Sequence, residues 1–326
     1  MDQQKLKVSK SIIFGPVPSR RLGRSLGVNN IPPKFCTYSC AYCQLGDTKN
    51  MQVRCQAFYE PGDIIRVVRE KIEETRNAGE TIDYLTFVPD GEPTLDIHLG
   101  QEIDLLKQFN IPIAVITNTS LIWQQEVQNA LMEADCVSLK FDTVDEAVWH
   151  RINRPHKELR LSSILEGALG FARSFRGKLL TETMILKGIN DSGHHVSQLA
   201  DFLAQIQPAV VYISIPTRPP AQEWAQPPDG NMLNRVYQVL KKKVECVEYL
   251  ICYEGDAFSS TGDTVEEDVL SITAVHPMRD DALQALLEKS GKDWEVIRRM
   301  QMLDQLIESE YMGHKFYLRK FGGNDR

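Results

Sequence analysis

The sequence predicts an α/β protein, a partial (β/α)6 barrel of the TIM type followed by a small second domain. Strand-like and helix-like segments alternate from about residue 24 to residue 252, which is typical of βαβ units around a parallel sheet. After residue 254 the chain becomes rich in Gly, Ser, Thr and Asp, and then shows short helical patterns. We therefore expect a barrel domain over residues 1–254, a linker over 255–263 and a C-terminal domain over 264–326.

The barrel elements follow from hydrophobic periodicity, because apolar residues repeat every two positions in strands and every three to four in amphipathic helices. The expected strands cover residues 25–29, 84–88, 111–116, 136–141, 179–186, 210–215 and 247–252. The expected helices cover residues 61–77, 97–109, 121–134, 194–206 and 231–243, with two more within 145–175. In such barrels the reactive groups lie in loops that follow the carboxyl ends of the strands.

The C-terminal segment predicts three helices over 265–275, 280–289 and 293–309 and a hairpin over 311–321, which is a winged-helix-like pattern. A nucleic-acid-binding domain usually shows a basic surface. Residues 263–326 instead carry nine basic and thirteen acidic side chains, a net charge of −4. We therefore expect no duplex DNA binding, and protein interaction or covering of a substrate fits this domain at least as well.

Composition and charge limit the classes to which this protein can belong. The chain has 326 residues, of which 42% are hydrophobic and 25% charged, so it can build a large core. Its start has no apolar signal segment and no run approaches 18 apolar residues, so we expect a cytoplasmic protein without a membrane span. The net charge is −7, but residues 1–60 carry +6 and the remainder −13. This local basic region can attract an anionic ligand to one place.

Three cysteines within eight residues, Cys36, Cys40 and Cys43, follow the first expected strand. In a reducing compartment such thiolates are soft ligands, suited to an iron–sulfur cluster or to zinc. A zinc site needs a fourth ligand, for which Cys55 is the nearby candidate, although a second paired set of ligands is missing from the sequence. The residues by themselves therefore leave zinc binding and buried structural thiols as alternatives.

The spacing of these cysteines resembles that of the radical S-adenosylmethionine (SAM) superfamily. The resemblance implies a [4Fe-4S] cluster with three protein ligands, whose open iron binds the amino and carboxylate groups of SAM. It also implies that Tyr42, directly before the last cysteine, lies near the adenine. The implied reaction is reductive cleavage of SAM to a 5′-deoxyadenosyl radical that abstracts hydrogen from a substrate. A reductant such as flavodoxin or ferredoxin is implied as a partner.

A second motif, Gly91-Glu92-Pro93, lies 48 residues after Cys43 at the end of the second expected strand. It resembles the glycine–glutamate motif of the superfamily, which contacts the amino group of SAM. Glycine in such a motif allows a close approach of the backbone. The resemblance also implies SAM contacts from Asn118 and Ser138, near the ends of the third and fourth strands.

A narrower resemblance covers about residues 11–250. It lies in three stretches that are similar to a bacterial branch of the wyosine-synthase-like radical SAM iron–sulfur oxidoreductases: Phe14–Gly27, Arg151–His156 and Pro216–Pro220. The wyosine-forming members modify a guanosine in tRNA and take a second cluster from cysteines upstream of the SAM motif. This chain has no cysteine before Cys36, so we do not expect it to carry out that reaction. The resemblance to the branch does not supply a substrate.

Five arginines are candidates for substrate binding, because a guanidinium recognises phosphate or carboxylate with two parallel hydrogen bonds. They are Arg20, Arg21, Arg24, Arg154 and Arg218. The first three precede the first strand and the other two follow strands four and six, which predicts positions around the barrel mouth. We therefore expect an anionic substrate, such as an RNA or a nucleotide. Solvated surface charge is the alternative interpretation.

The predicted function is that of a radical SAM enzyme of the iron–sulfur oxidoreductase type, with an unidentified substrate and no further catalytic residue assigned. An iron–sulfur-sensing regulator that binds DNA through the C-terminal domain is the main alternative. A zinc-stabilised binding protein is the second. Neither alternative explains the Gly91–Pro93 motif together with a complete barrel.

Overall fold

The computed structural model describes residues 12–251, 264–274 and 276–320. The expected linker over 255–263 lies outside the described residues, as do the outer ends of both expected domains. In the described part of the chain, no helix combines the length and the apolar character that a bilayer span requires.

One eight-stranded sheet forms the body of the protein. Its strands are β1 (Ile13–Ser19), β2 (Gly23–Val28), β5 (Tyr84–Phe87), β6 (Ile113–Thr117), β7 (Cys136–Lys140), β8 (Lys178–Met184), β9 (Val210–Ser214) and β10 (Val247–Leu250), in that spatial order. Every neighbouring pair from β2 to β10 is parallel, whereas β1 is antiparallel to β2. Two short strands, β3 (Phe35–Cys36) and β4 (Asn50–Met51), pair separately.

Helices connect the parallel strands and cover the outer face of the sheet. They are α1 (Pro61–Asn77), α2 (Leu99–Leu106), α3 (Gln125–Met132), α4 (Glu146–Asn153), α5 (Leu161–Ser174), α6 (Gly193–Ile206) and α7 (Gly230–Lys241). Apolar side chains at helical spacing, such as Ile64, Val68 and Ile72 of α1, are buried in the core between helices and sheet. Six βα units followed by a seventh parallel strand thus form a curled, half-barrel sheet.

The edge strand β1 was not among the expected strands, because Gly15, Pro16 and Pro18 obscure its pattern. Proline cannot donate to a sheet ladder and is therefore tolerated at sheet edges and bulges. The register of β1 shifts between Phe14 and Val17, which accommodates these residues. The third helix of the barrel is also shorter than the expected 121–134, since its first residues form turns.

The inner face of the sheet divides into two halves. Toward the amino ends of the strands, apolar side chains fill the lumen. Together with Leu250, at the carboxyl end of β10, they form the lower lumen cluster, whose other members are Leu22, Ala114, Cys136, Leu180, Val210 and Tyr212. At the carboxyl ends, polar and charged side chains replace them. The same strands therefore supply a closed base and a polar upper lumen.

Residues 264–320, the described part of the expected C-terminal domain, contain three helices and a three-stranded antiparallel sheet. The helices are α8 (Val265–Thr273), α9 (Asp280–Lys289) and α10 (Glu295–Met302), and the strands are β11 (Met278–Arg279), β12 (Leu306–Tyr311) and β13 (His314–Arg319). The expectation of a helix over 293–309 was wrong at its end, because Asp304 adopts a left-handed φ of 59° and β12 begins two residues later. Phe14 and Val17 of β1 are buried in the core of this domain, which therefore covers the edge of the barrel sheet.

Candidate active site

A cavity of about 340 Å³ lies at the carboxyl ends of the parallel strands. Its walls come from the loop after β2, here called the cysteine loop (residues 36–43), and from residues at the ends of the later strands. Nine of the sequence-predicted residues line it: Arg20, Arg21, Cys36, Cys40, Tyr42, Cys43, Gly91, Asn118 and Arg218. The tertiary structure therefore brings motifs that are nearly 200 residues apart into one site.

The glycine of the second motif braces the start of the cysteine loop. Gly91 forms a β-bridge with Phe35, and the Glu92 backbone N–H donates to the Phe35 carbonyl oxygen at 3.0 Å. A Cβ atom on Gly91 would lie 1.9 Å from that same oxygen. A glycine is therefore required at this position, and it sets the position of the residue directly before Cys36.

The Glu92 carboxylate is fully buried and does not line the cavity. It accepts hydrogen bonds of 2.6 to 3.1 Å from the Thr94 backbone and hydroxyl, the Thr117 hydroxyl and the Asn118 backbone. Burial raises the pKa of Glu92, and these bonds counter part of that effect. Of the Gly91–Pro93 motif, only Gly91 reaches the cavity wall, while Glu92 ties the loop after β5 to the end of β6.

The end of α4 braces the cysteine loop from the other side. The Ser39 and Ala41 backbone N–H groups donate to the carbonyls of Asn153 and Ile152 at 3.1 and 2.8 Å. The Asn153 side-chain amide lies 3.6 Å from the Cys40 sulfur and donates to Asp142 at 2.7 Å. Sequence reasoning did not select Asn153 as a site residue, although it lies inside the Arg151–His156 stretch.

Tyr42 is held rigidly in the cavity wall. Its hydroxyl donates to Asp142 Oδ2 at 2.5 Å, and the Lys140 ammonium lies 5.0 Å from its ring centroid. Because both ends of the side chain are fixed, the ring presents a defined apolar face to a ligand.

The three thiols fit a cluster with three protein ligands. Burial raises the pKa of each, to about 12 for Cys40. No other cysteine of the described residues lines this cavity, which leaves one iron of a four-iron cluster without a protein ligand. Cys55, the candidate fourth zinc ligand, instead has its sulfur 3.3 Å from the Thr94 carbonyl. The donor set therefore suits an iron–sulfur cluster better than a four-cysteine zinc site.

An ion-pair network crosses the upper lumen. Glu182 of β8 contacts Arg21, and its Oε1 accepts from Lys140 and Ser214 at 3.0 Å. Burial alone would raise the pKa of Glu182, but Lys140 and Arg21 outweigh it and lower that pKa. The sequence signal for Lys140 and Glu182 is a charged residue late in an otherwise apolar strand.

Among the residues that the structure describes, basic side chains outnumber carboxylates in the cavity wall. A second pair joins Lys34 to Asp90 at 3.5 Å, and burial raises the pKa of Asp90 to about 6 despite that lysine. Five basic side chains line the cavity against the two carboxylates of Asp90 and Glu182. They are Arg20, Arg21, Lys34, Lys140 and Arg218.

Three predicted residues besides Glu92 and Pro93 are not brought to the cavity. Arg24 lies at the amino end of β2, where its Nε donates to the Thr81 carbonyl at 3.0 Å, and it does not line the cavity. Arg154 pairs with Asp47 at 3.2 Å, away from the cavity. Ser138 is buried in β7, two residues before Lys140.

Comparison with known proteins agrees with this site. The chain matches the model of the Radical SAM superfamily over residues 30–203, and it belongs to that superfamily. It is accordingly a radical SAM enzyme with a [4Fe-4S] cluster and S-adenosylmethionine as cofactors. The matched region includes all three cysteines and the Gly91–Pro93 motif.

Individual relatives extend the comparison. A UPF0026 protein of Methanocaldococcus jannaschii is 45% identical over 318 residues, which are 97% of this chain and 98% of that protein. A GTPase Obg of Brachyspira hyodysenteriae is 30% identical over 94% of this chain but only 44% of its own length, so this chain spans less than half of that relative. A structure of TYW1 with a lysine–pyruvate adduct bound has a TM-score of 0.53 at 15% identity, over 68% of this chain and 74% of that one. This last likeness shows the fold alone.

Proposed function

We propose that Cys36, Cys40 and Cys43 hold the cluster, and that the enzyme abstracts hydrogen from an anionic substrate bound in the same cavity. The observation that carries this proposal is the lining of one cavity by all three thiols and five basic side chains. When bound, the cluster and SAM supply a 5′-deoxyadenosyl radical as the hydrogen-abstracting species. The residues of this chain bind and orient SAM and the substrate, and they exclude water from the site.

The upper lumen provides the groups that would orient SAM. Lys140 offers a cation at the end of β7, and the Asn118 side chain lies 3.5 Å from the Cys36 sulfur. The fixed ring of Tyr42 offers an apolar surface for the adenine. The lower lumen cluster closes the base of the barrel, so solvent is excluded from below, as a reactive carbon radical requires.

The remaining parts of the proposal concern location, partners and the C-terminal domain. A reductant such as flavodoxin or ferredoxin would deliver the electron, in the cytoplasm. The order helix, strand, helix, helix, strand, strand supports a winged-helix-like assignment for residues 264–320. The burial of Phe14 and Val17 in this domain supports a covering role rather than DNA binding.

Anaerobic reconstitution of the full chain tests the proposal. We expect about four iron and four sulfide per chain and reductive cleavage of SAM. Cys40→Ala should lose the brown chromophore and the cleavage, whereas Cys55→Ala, the matched control, should retain both. Cleavage by Cys40→Ala would refute the assignment. A colourless zinc protein, or DNA binding without SAM turnover, would support one of the two alternatives instead.

A further inference from the structure

A hydrogen-bond network of three side chains lies beside the sulfur of Cys40. The Asn153 amide nitrogen is 3.6 Å from Cys40 Sγ, and the Tyr42 hydroxyl is the second donor group near that sulfur. Both groups also contact Asp142, which lies just after the end of β7. The network therefore connects one of the three cysteines to the end of a barrel strand.

Asp142 holds this network in place. Its carboxylate is buried, and its Oδ2 accepts hydrogen bonds from the Tyr42 hydroxyl at 2.5 Å and from the Asn153 amide at 2.7 Å. Its Oδ1 accepts from the backbone N–H of Met184, at the end of β8, at 2.8 Å. Both oxygens of the buried carboxylate are thus engaged, which fixes the two side chains that reach Cys40.

The number of available protons decides which group donates to the sulfur. A tyrosine hydroxyl has one proton, and the bond from Tyr42 to Asp142 uses it. An asparagine amide nitrogen has two hydrogens. One hydrogen of Asn153 donates to Asp142, and the other is left for Cys40 Sγ at 3.6 Å and the Tyr42 hydroxyl oxygen at 3.3 Å. Asn153 is therefore the side chain of this network that has a proton to donate to Cys40.

Asn153 is fixed by its backbone as well as by Asp142. It is the last residue of α4, which Arg154 ends with a left-handed φ of 47°. Its carbonyl accepts from the Ser39 backbone N–H at 3.1 Å, which ties it to the cysteine loop. The residue is buried and is not among those that line the active-site cavity. Its effect on the chemistry would therefore pass through Cys40 rather than through contact with SAM or substrate.

We propose that Asn153 is a positioning residue whose amide donates a hydrogen bond to the Cys40 thiolate and makes the bound cluster easier to reduce. The negative charge on the cluster and its sulfur ligands grows when the cluster accepts an electron. An N–H donor therefore stabilises the reduced state more than the oxidised state. The step transfers one electron from the external reductant and forms or breaks no bond. The inference rests on the proposed function, because it requires Cys40 as a cluster ligand.

A redox titration of the reconstituted full chain, followed by electron paramagnetic resonance, tests the inference. Asn153→Ala removes the donor and should make reduction of the cluster roughly tenfold less favourable, which lowers the midpoint potential by about 59 mV for one electron. Asn190→Ala is the matched control. Asn190 is similarly buried, but its amide donates to the Asp142 and Met184 carbonyls, each at 2.8 Å. Both variants should lose stability, whereas only Asn153→Ala should shift the potential.

Asn153→Asp is the second variant, because it keeps the size of the side chain while it removes the N–H group and adds a negative charge. Its potential should fall at least as far as that of Asn153→Ala. An unchanged potential in both variants, or an equal shift in Asn190→Ala, would overturn the inference. Loss of the cluster from both variants would make Asn153 a residue that assembles the site, and this result would overturn the inference too.

Tyr42→Phe distinguishes the two donor groups, because it removes the hydroxyl and leaves the amide. The potential of this variant should equal that of the wild type. A fall in Tyr42→Phe without one in Asn153→Ala would assign the donor to the hydroxyl and refute our assignment. Failure of the proposed function has a different signature. A wild-type chain without a four-iron cluster refutes the proposed function, whereas a four-iron cluster whose potential does not depend on Asn153 refutes only this inference.

Discussion

The two halves of the lumen differ although the same strands build both. On β8, Leu180 is buried in the lower lumen cluster, whereas Glu182 and Met184 line the active-site cavity. On β7, Cys136 belongs to the base and Lys140 to the cavity. The difference follows from what each half contacts. The base is packed with apolar side chains, while the carboxyl ends meet the cysteine loop and its charged neighbours.

The base and the mouth of the barrel can therefore be changed independently. Substitutions in the base should affect the free energy of unfolding and leave the chemistry intact. Substitutions in the mouth should affect ligand binding or the local charge balance more than packing.

Leu180→Ala should show the largest loss of stability. The side chain is fully buried, so its truncation leaves a cavity and should lower the free energy of unfolding by about 2–5 kcal/mol. Urea denaturation measures the loss, and SAM cleavage per bound cluster should stay at the wild-type level. Met184→Ala, four residues further on the same inner face, is the matched comparison and should lose less stability. A larger loss of cleavage in Leu180→Ala than in Met184→Ala would contradict the division.

Glu182→Gln should destabilise the protein by about 1–3 kcal/mol at pH 7, because Lys140 and Arg21 lose their shared counter-charge. The side chains are slightly solvated, which keeps the loss below that of a fully buried pair.

The stability that Glu182 contributes should depend on pH. Its pKa in the folded state lies below the ordinary value of 4.5, so its stabilising contribution is complete above that pH and is lost as the pH falls further. The stability difference between wild type and Glu182→Gln should therefore be constant from pH 6 to 8 and shrink below about pH 4. Glu248→Gln, on the exposed part of β10, is the control. A difference that grows on acidification would rule out this account.

Tyr42→Phe should lower the free energy of unfolding by about 1 kcal/mol, because the hydroxyl's buried hydrogen bond to Asp142 and the longer one from Asn153 are lost while the ring remains. Cluster content and SAM binding should change little. Tyr42→Ala removes the aromatic ring from the cavity wall and should weaken SAM binding much more than Tyr42→Phe does. Equilibrium dialysis with labelled SAM measures this difference. Equal SAM binding by the two variants would show that the ring does not contact the cofactor.

Arg24→Gln should have the smallest effect, at most about 1 kcal/mol, because its contact with Glu80 is a partly exposed ion pair at the base of the barrel. SAM cleavage and anion binding should equal those of the wild type. Arg21→Gln, three residues earlier, should impair substrate-dependent turnover because Arg21 lines the cavity. If both variants were equally impaired, the basic segment would act as a whole rather than through its placement.

Much of the fold could be predicted from the sequence because strand and helix periodicity are local properties. The six βα units and the seventh strand lie close to their expected positions. The spacing of the three cysteines predicts binding of a soft metal or an iron–sulfur cluster. The edge strand β1 could not be predicted, since its prolines and glycine hide a pairing that only an edge position allows.

Only the tertiary structure decided which predicted residues meet at the site. Arg20, Arg21 and Arg24 are neighbours in sequence, yet two reach the cavity and the third lies at the base of the barrel, because side chains on a strand and on the adjoining turn point to different places. Glu92 is the charged residue of its motif, yet it is buried. Its carboxylate accepts hydrogen bonds from Thr117 and Asn118 at the end of β6. The burial of Phe14 and Val17 against residues of the C-terminal domain is likewise a long-range contact that no local pattern encodes.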